Sequence, residues 1–307
     1  MRYENLLTRS FAILRRKPWL WLLALLAGET SSGGGGGGGV NFQVTERRPA
    51  PDLSWVPQWL ADRAGLIAEI ALAVLVVALA WFLVSCVASG ALVGAVARID
   101  AGGPITLGAA RRIGVAAFRR VLALKLLLAV AFLVPALLLL IPPLAGSRGG
   151  TRGLLSGVFI DLPLLFALIY WAAFLGWFSP LALRACVLDQ LGARPALTAA
   201  WALLKRRFHR IALTTVVFLG VGFGIGILSS VLFALLEAPF LATLVAEVSQ
   251  GRWAELTGTV LLWLAILSPV SLAISSLVGA YFAIAWTLAY RRFDVEGEPA
   301  EPPPLPA

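Results

Sequence analysis

Histidine and cysteine are nearly absent from this 307-residue chain, which has one histidine, His209, and two cysteines, Cys86 and Cys186. A structural or catalytic zinc site needs three or four protein ligands, most of them His or Cys. One histidine and two widely separated cysteines do not supply such a set, so we expect no metal ion and no cofactor. Both cysteines lie in or at the end of apolar stretches, where a thiol behaves as a small hydrophobic group.

Charged residues are also scarce, at 13% of the chain against 60% hydrophobic residues, where soluble domains have about 25% and 45–50%. So apolar a chain requires lipid as its solvent. Six stretches contain no charged residue: 18–28, 70–97, 126–147, 162–183, 211–236 and 256–290. A helix needs about 20 mainly apolar residues to cross a membrane, and five of the stretches have 22 or more. The sequence predicts an all-α, polytopic integral membrane protein with six transmembrane helices.

The 25 lysines and arginines are concentrated in loops between these stretches. They are not distributed as in a nucleic-acid-binding surface. Nineteen lie before the first stretch or after the second, fourth and sixth, and six lie in the other three loops. Because cytoplasmic loops keep the excess of positive charge, we expect six crossings, both termini in the cytoplasm and no nucleic-acid partner. The 22 arginines against 3 lysines are typical of GC-rich coding and favour the cytoplasmic membrane of a bacterium.

The first stretch, 18–28, is short, since its 11 residues cover only about 16 Å as a helix. We expect one helix that extends back through Thr8–Leu14, with the basic residues 15–17 reaching the cytoplasmic interface. A re-entrant half-helix is the alternative, but it would place the loop 98–125 outside, against the charge distribution.

Two internal similarities divide the chain into three units. Residues 10–17 resemble residues 200–207, at an offset of 190, and a second similarity aligns 107–121 with 197–211, at an offset of 90. Three stretches also end on an apolar residue, Asp and then Gly: Ile99–Gly102, Leu188–Gly192 and Phe293–Gly297. We infer units near 3–102, 103–192 and 193–297 within one transmembrane domain, 1–297, each a basic amphipathic segment at the interface followed by a helical hairpin. Parallel repeats often place a site where units meet, but duplication of a packing module leaves the same pattern.

Two segments do not belong to the membrane core. Residues 29–62 predict a flexible outer loop, and its glycine run, Gly33–Gly39, lacks the Lys-Ser/Thr of a phosphate-binding loop. Residues 298–307 predict a disordered, proline-rich tail.

Small residues recur within the apolar stretches at spacings that allow close helix packing. They form two sets, Gly90 with Gly94, and Gly220, Gly222, Gly224 and Gly226. Pro269 interrupts the longest stretch, where we expect a kink that could act as a hinge. Kinks without a transport role are equally compatible with this position.

Ionisable residues inside a membrane are the first candidates for chemistry, and the predicted helix interiors have none. Four charged residues lie near predicted helix ends, where a long side chain reaches the interface: Glu69, Asp161, Arg184 and Glu237. We therefore expect that the protein is not an enzyme.

The basic segments are the most specific functional signal. On a helical wheel the cations of residues 205–210 fill one arc, and Trp201, Leu204 and Phe208 lie opposite. Each basic residue near an anionic leaflet contributes about 1 kcal/mol. We predict that three segments bind anionic lipid headgroups through Arg15, Arg16, Lys17, Arg111, Arg112, Arg119, Arg120, Lys205, Arg206, Arg207 and Arg210. The alternative is that these residues only set the orientation in the membrane.

One segment resembles the short signature of a large group of six-helix bacterial membrane proteins. It reads Leu191-Gly-Ala-Arg-Pro-Ala-Leu-Thr-Ala-Ala-Trp-Ala-Leu-Leu-Lys-Arg-Arg-Phe208 and follows a helix that ends Val187-Leu-Asp189. The group includes uncharacterised proteins and the membrane domain attached to some glycerophosphodiester phosphodiesterases. The resemblance implies a membrane module without phosphodiesterase activity, because the catalytic domain of those enzymes is a separate soluble barrel with acidic and histidine metal ligands. No catalytic position is carried over.

These patterns favour a non-enzymatic protein that acts as a lipid-interacting scaffold or an accessory subunit, with anionic membrane lipids and a membrane protein as partners. The alternative is a transporter or permease component with a site between units, near Pro269 and Gly220–Gly226. A polar cavity at mid-membrane would favour transport, and a closed, dry bundle would favour the scaffold.

Overall fold

Helices account for nearly all of the residues that the structure describes. It is a computed structural model that describes residues 3–28, 63–139, 150–249 and 253–295. Within these ranges there is no strand, and the predicted loop 29–62 and tail 298–307 lie outside them. The helices are α1 (Tyr3–Arg16), α2 (Trp19–Ala27), α3 (Ala64–Asp100), α4 (Leu107–Leu138), α5 (Gly150–Leu188), α6 (Ala193–Ser249) and α7 (Trp253–Val295).

Five helical segments are long and apolar enough to cross a membrane, by length and composition: Ala64–Asp100, Leu107–Leu138, Pro163–Leu188, Ala193–Leu244 and Gly258–Phe293. The prediction of an all-α, multi-pass membrane protein is therefore confirmed at this level. The remaining stretch, 18–28, lies largely in α2, which has 9 residues. Alone, α2 covers about 14 Å of a hydrocarbon core that is roughly 30 Å thick.

The start of the chain differs from the expected single helix. α1 ends at Arg16 and α2 begins at Trp19, with Pro18 at the N-cap of α2. Proline lacks a backbone N–H and disfavours a helical conformation in the residue before it. The expectation of one continuous helix from Thr8 through 18–28 is therefore wrong. α2 is followed by Gly28, whose φ of 69° is left-handed. Glycine adopts this conformation without steric cost.

The buried residues lie at one end of the long helices. They run over Ser85–Val96 in α3, Ala110–Leu124 in α4, Phe178–Val187 in α5, Ala196–Phe218 in α6 and Ala280–Phe293 in α7, with α1 and α2 packed among them. We call this end the packed half and the opposite end the outer half. In the outer half every residue from 64 to 81 is exposed, and Phe223 and Leu228 keep 71% and 72% of their surface. Apolar surface on this scale is compatible with lipid and not with water.

The helices of the packed half follow a three-around-three arrangement. α3, α5 and α7, here called the central helices, contact one another. α2 contacts α3 and α7, α4 contacts α3 and α5, and α6 contacts α5 and α7. Each of these three helices therefore lies against two central helices, and α1 packs on α7.

The close approach of α3 to α4 depends on glycine. A Cβ atom at Gly94 would lie 2.5 Å from Cγ2 of Ile113, and one at Gly114 would lie 2.9 Å from Cβ of Ala91 and overlap the carbonyl oxygen of Val87. Real Cβ atoms do not approach this closely, so the packing of α3 on α4 requires residues without a side chain at these positions.

Candidate functional site at the junction of the central helices

The ends of α3 and α5 that carry the repeated Asp lie together in the packed half. α3 ends at Asp100 and is followed by Gly102 with a φ of 78°, and α5 ends at Leu188 and is followed by Gln190 with a φ of 54°. A left-handed residue just after a helix is a common way to turn the chain away from its axis. Asp100 and Asp189 consequently stand at the points where two helices stop.

Asp100 forms ion pairs with two arginines from other helices. Its Oδ1 atom lies 2.6 Å from Nη2 of Arg9 on α1, and its Oδ2 atom lies 2.6 Å from Nη1 of Arg291 on α7. The same arginines donate to main-chain oxygens at the end of α3, Arg9 to Asp100 at 3.1 Å and Arg291 to Ala97 at 3.0 Å. Arg9 thus bonds a carbonyl at the last residue of α3, Arg291 adds a second donor to the Ala97 carbonyl, which also accepts from the N–H of Ala101, and both arginines place positive charge at the negative pole of the helix.

The neighbouring residue on α7 holds the end of α5. The hydroxyl of Tyr290 donates to Oδ2 of Asp189 at 2.6 Å. Consecutive residues of α7, Tyr290 and Arg291, therefore bind the carboxylates at the ends of the other two central helices. The three central helices are joined by side-chain bonds at this junction.

A cavity of about 550 Å³ lies at the junction, within the roughly 300–1,000 Å³ of small-molecule sites. Its apolar wall comes from small or aliphatic residues of α3, α4 and α5, and its polar wall from Arg98, Asp189, Tyr290 and Arg291. Two arginines against one aspartate leave this lining with one net positive charge. The complete lining is Gly94, Ala97, Arg98, Ala101, Ile113, Val187, Leu188, Asp189, Tyr290 and Arg291.

Two further cations, Lys125 and Arg184, lie between helices. Lys125 on α4 donates from Nζ to Oγ of Ser89 at 2.9 Å, to Oγ of Ser85 at 3.2 Å and to the carbonyl oxygen of Ser85 at 3.3 Å. The sequence places Lys125 in the loop 98–125, but it lies within α4, where hydroxyl and carbonyl oxygens of a neighbouring helix compensate its charge. The two serines, one helical turn apart on α3, are the signal in the sequence that could have indicated a polar partner.

Arg184 also differs from its predicted interfacial position. It is only 1% exposed, and it donates from Nη1 to the carbonyl oxygen of Pro180 at 2.8 Å and from Nη2 to that of Ala283 at 3.1 Å. Pro180 lies one turn earlier on α5, where proline cannot donate a main-chain hydrogen bond, and Ala283 lies on α7. Arg184 therefore joins two central helices, and the expectation that it extends to the interface is wrong.

The predicted lipid-binding cations lie on the outside of the packed half. Exposed are Arg15, Arg16, Arg111, Arg112, Arg119, Lys205, Arg206 and Arg210, and half-buried are Lys17, Arg120 and Arg207. None of them lines the cavity. In the third segment Leu204 is buried, but Trp201 and Phe208 are 43% and 52% exposed, and Nζ of Lys205 lies 5.1 Å from the centre of a Trp201 ring. Trp201 therefore contacts Lys205 and also packs edge-on against Phe174 and Phe178 of α5, while Phe208 is exposed.

No protein-family model, curated protein sequence or solved structure matches this chain. The interpretation of the junction and of the basic segments therefore rests on their own residues.

The predicted packing glycines and the predicted hinge lie apart from the junction, with one exception. Gly94 lines the cavity and, like Gly90, contacts α4. In the other set Gly222 is buried, but a Cβ atom at Gly220, Gly224 or Gly226 would meet no described atom within 4 Å. Those three positions therefore form no close helix contact within the described residues. Pro269 is exposed in the outer half, and α7 continues on both sides of it.

Proposed function

We propose that this chain is a six-helix protein of the bacterial cytoplasmic membrane that binds anionic lipid headgroups through its three basic segments. In this proposal it is not an enzyme and uses no cofactor. It acts as a lipid-interacting scaffold or as an accessory subunit of a membrane protein partner. The observation that carries the proposal is the exposure of aromatic rings beside the exposed cations.

The third basic segment has both exposed cations and exposed aromatic rings. The Nζ atom of Lys205 lies 5.1 Å from the centre of a Trp201 ring, and Arg206, Phe208 and Arg210 are exposed on the same segment. Tryptophan favours the level of the lipid headgroups, and cations just beside it reach their phosphates. Charges that only set orientation would not need exposed aromatic rings as neighbours, so the pair of features favours a surface that contacts headgroups.

In the other two segments, exposed apolar residues also lie beside the cations. In α1, Phe11 is 60% exposed and lies one turn from Arg15. In α4, Val115 is 56% exposed and lies between Arg112 and Arg119. All three segments therefore offer an apolar group that enters the interface together with cations that remain in water.

The contacts of Asp100 support the sixth crossing. Arg9 precedes the stretch 18–28, and its ion pair brings it to the far end of α3, at Asp100. α3 crosses the membrane once, so Arg9 and Asp100 share a side only if the chain also crosses between Arg9 and the start of α3. The stretch 18–28 is the apolar segment of that region, and in this proposal it makes the crossing, with both termini in the cytoplasm as the positive charges require.

Burial and helix geometry support the three units. Ser10 and Ala200, which correspond at the offset of 190, are both 0% exposed. Arg207, where the backbone leaves helical geometry with φ −126° and ψ 25°, corresponds to Lys17, at the break between α1 and α2. In this proposal each unit supplies one central helix and one of the three helices packed between them.

The resemblance to the membrane domain of glycerophosphodiester phosphodiesterases remains part of this proposal. It rests on the sequence signature 191–208, which spans the start of α6 and the kink at Arg207. The likeness implies a membrane module and no catalytic activity.

One observation favours the alternative, a transporter or permease component. The cavity lies where the central helices of the three units meet, as expected for a site between helical repeats. Its position differs from the one that the sequence suggested, since Pro269 and Gly220–Gly226 do not line it. A transport role would therefore depend on the junction and not on the proline.

Lipids retained by the purified protein test the lipid-binding proposal. The protein would be extracted in polymer-bounded native membrane discs and its lipids counted by mass spectrometry. We expect an anionic lipid to be enriched over the bulk membrane, and the enrichment to fall several-fold when Lys205, Arg206 and Arg210 are all changed to Gln. Arg207 is left in place because it lies at the kink.

A charge-retaining variant is the matched control. Changing Arg206 and Arg210 to Lys keeps every positive charge of the segment, so it should retain the enrichment if charge near headgroups is its cause. Bulk lipid composition in the wild type would contradict the proposal. A stoichiometric protein that copurifies with the wild type would support the accessory-subunit form of it.

A further inference from the structure

The cavity at the junction is separate from the basic segments and has the features of a site for one small ligand. Ala97 on α3 and Ala101 just after it have only methyl side chains, and Val187 and Leu188 on α5 add aliphatic surface. Such walls exclude water from one side of a ligand, which strengthens the polar contacts on the other side. The nature of the ligand depends on the polar wall.

Arg291 is fixed in position before any ligand arrives. Its Nη1 atom donates to Ala97 and Asp100, and the side chain keeps 37% of its surface. A guanidinium has five N–H donors, and those on Nη2 and Nε have no partner within the described part of the chain. A cation whose plane is already held loses little entropy on binding an anion.

Arg98 supplies a second guanidinium from another helix. It is exposed at the cavity, and no side-chain hydrogen bond or ion pair joins it to another described residue. The carbonyls at the end of α3 do not require it, because Arg9 and Arg291 already donate to them. Its charge is therefore available to a ligand.

The carboxylate of Asp189 repels an anion, but one of its oxygens already accepts a hydrogen bond from the Tyr290 hydroxyl. The two arginines outweigh it by one charge. A planar carboxylate has two oxygens and matches a single guanidinium fork, whereas a phosphate group has enough oxygens for two. We propose that the cavity binds one phosphate group, carried by a lipid or by a small organic phosphate, with Arg98 and Arg291 as its anchors.

Titration of the full-length protein in phosphatidylcholine nanodiscs tests this site. Three probes share parts of one structure: dioctanoyl phosphatidic acid, glycerol 3-phosphate, and dioctanoylglycerol, which lacks the phosphate. Calorimetry should show saturable binding of one equivalent of a phosphate probe and none of dioctanoylglycerol. At least tenfold tighter binding of phosphatidic acid than of glycerol 3-phosphate identifies a lipid as the source, and equal affinities identify a soluble phosphate.

Two variants test the anchors and the volume independently. Arg98→Gln should weaken the phosphate probe at least about tenfold, since it removes charge-assisted hydrogen bonds. Ala101→Phe should do the same by filling the cavity without changing its charge. Arg194→Gln is the matched control, because Arg194 is an exposed arginine at the same end of the molecule that does not line the cavity, and it should retain the affinity within twofold.

Three results would overturn the proposal: no saturable binding of either phosphate probe, equal binding of dioctanoylglycerol, or wild-type affinity in both Arg98→Gln and Ala101→Phe. The site does not depend on lipid binding by the basic segments, since none of their cations lines the cavity. Loss of lipid enrichment and loss of calorimetric binding therefore report on different residues.

Discussion

Arg291 on α7 donates from Nη1 to Oδ2 of Asp100 on α3 at 2.6 Å, across 191 positions of the sequence. Arg9 on α1 approaches the other oxygen of the same carboxylate at 2.6 Å. The side chain of Asp100, which is 17% exposed, therefore joins α3 to α1 and α7, the first and last of the helices. Arg9 and Arg291 keep 50% and 37% of their side-chain surface, so water weakens each pair, and the link depends on the two pairs together.

The variant Asp100→Asn tests the strength of this link. It leaves two arginines without their counter-charge, and we expect it to destabilise the protein by about 1–2 kcal/mol, since two partly exposed ion pairs contribute up to about 1 kcal/mol each. Thermal unfolding in detergent measures the change. Arg292→Gln, which alters the next residue on α7, should change the stability by less than about 0.5 kcal/mol. Equal losses in the two variants would show that Asp100 has no special role.

The stability of glycine-to-alanine variants should distinguish glycines at close helix contacts from glycines with open space around them. Gly114→Ala places a methyl group against Val87 and Ala91, so α3 and α4 must move apart, at a cost of about 1–3 kcal/mol. Gly224→Ala meets no described atom within 4 Å and should be neutral or stabilising by up to about 1 kcal/mol, because alanine favours a helix over glycine. The midpoint of thermal unfolding should therefore fall in Gly114→Ala and stay or rise in Gly224→Ala, and a loss in Gly224→Ala would indicate a partner for that face.

The apolar stretches predicted the long helices well because a membrane span is a local property of composition. Four of the five long stretches lie within α3, α5, α6 and α7, and the third, 126–147, shares residues 126–138 with α4. The break at Pro18 was missed because the charge distribution places a crossing there without indicating whether one helix makes it. The proline itself was the signal, since it disfavours a helical conformation in the residue before it.

The junction could not be predicted because its contacts depend on packing between distant helices. Asp100, Asp189 and Arg291 are ordinary helix-end residues in the sequence, and only the arrangement of the central helices brings them together. The repeated ending of an apolar residue, Asp and Gly was the available signal, since Asp100 and Asp189, which belong to that pattern, both lie at the junction. Arg184 had no such signal, because its acceptors are main-chain carbonyls, which every residue has.

The variant Arg184→Lys should show how much the planar side chain of Arg184 contributes to stability by joining α5 to α7. The guanidinium reaches carbonyl oxygens on α5 and α7 with different nitrogen atoms, and a single ammonium group does not reproduce that fork. We expect a loss of about 1–3 kcal/mol by thermal unfolding. The same change at Arg194, which is exposed, should have little effect, and equal stability of the two variants would refute a linking role for Arg184.

Labelling with a membrane-impermeant maleimide should determine the threading. Cys86 and Cys186 are both 0% exposed, so the folded wild-type protein should give little background. Single cysteines at Ala12, Arg112 and Arg194 would stand at exposed positions of α1, α4 and α6. Six crossings with cytoplasmic termini predict that all three label only after the membrane is opened.

The comparison of Ala12 with Arg112 is the decisive one. The chain between them contains the stretch 18–28 and α3, and α3 crosses once. The two positions share a side only if the segment before α3 crosses as well. Labelling of Ala12→Cys in intact cells, with Arg112→Cys and Arg194→Cys still protected, would mean that this segment does not cross, and the ion pair between Arg9 and Asp100 could not then form in the membrane.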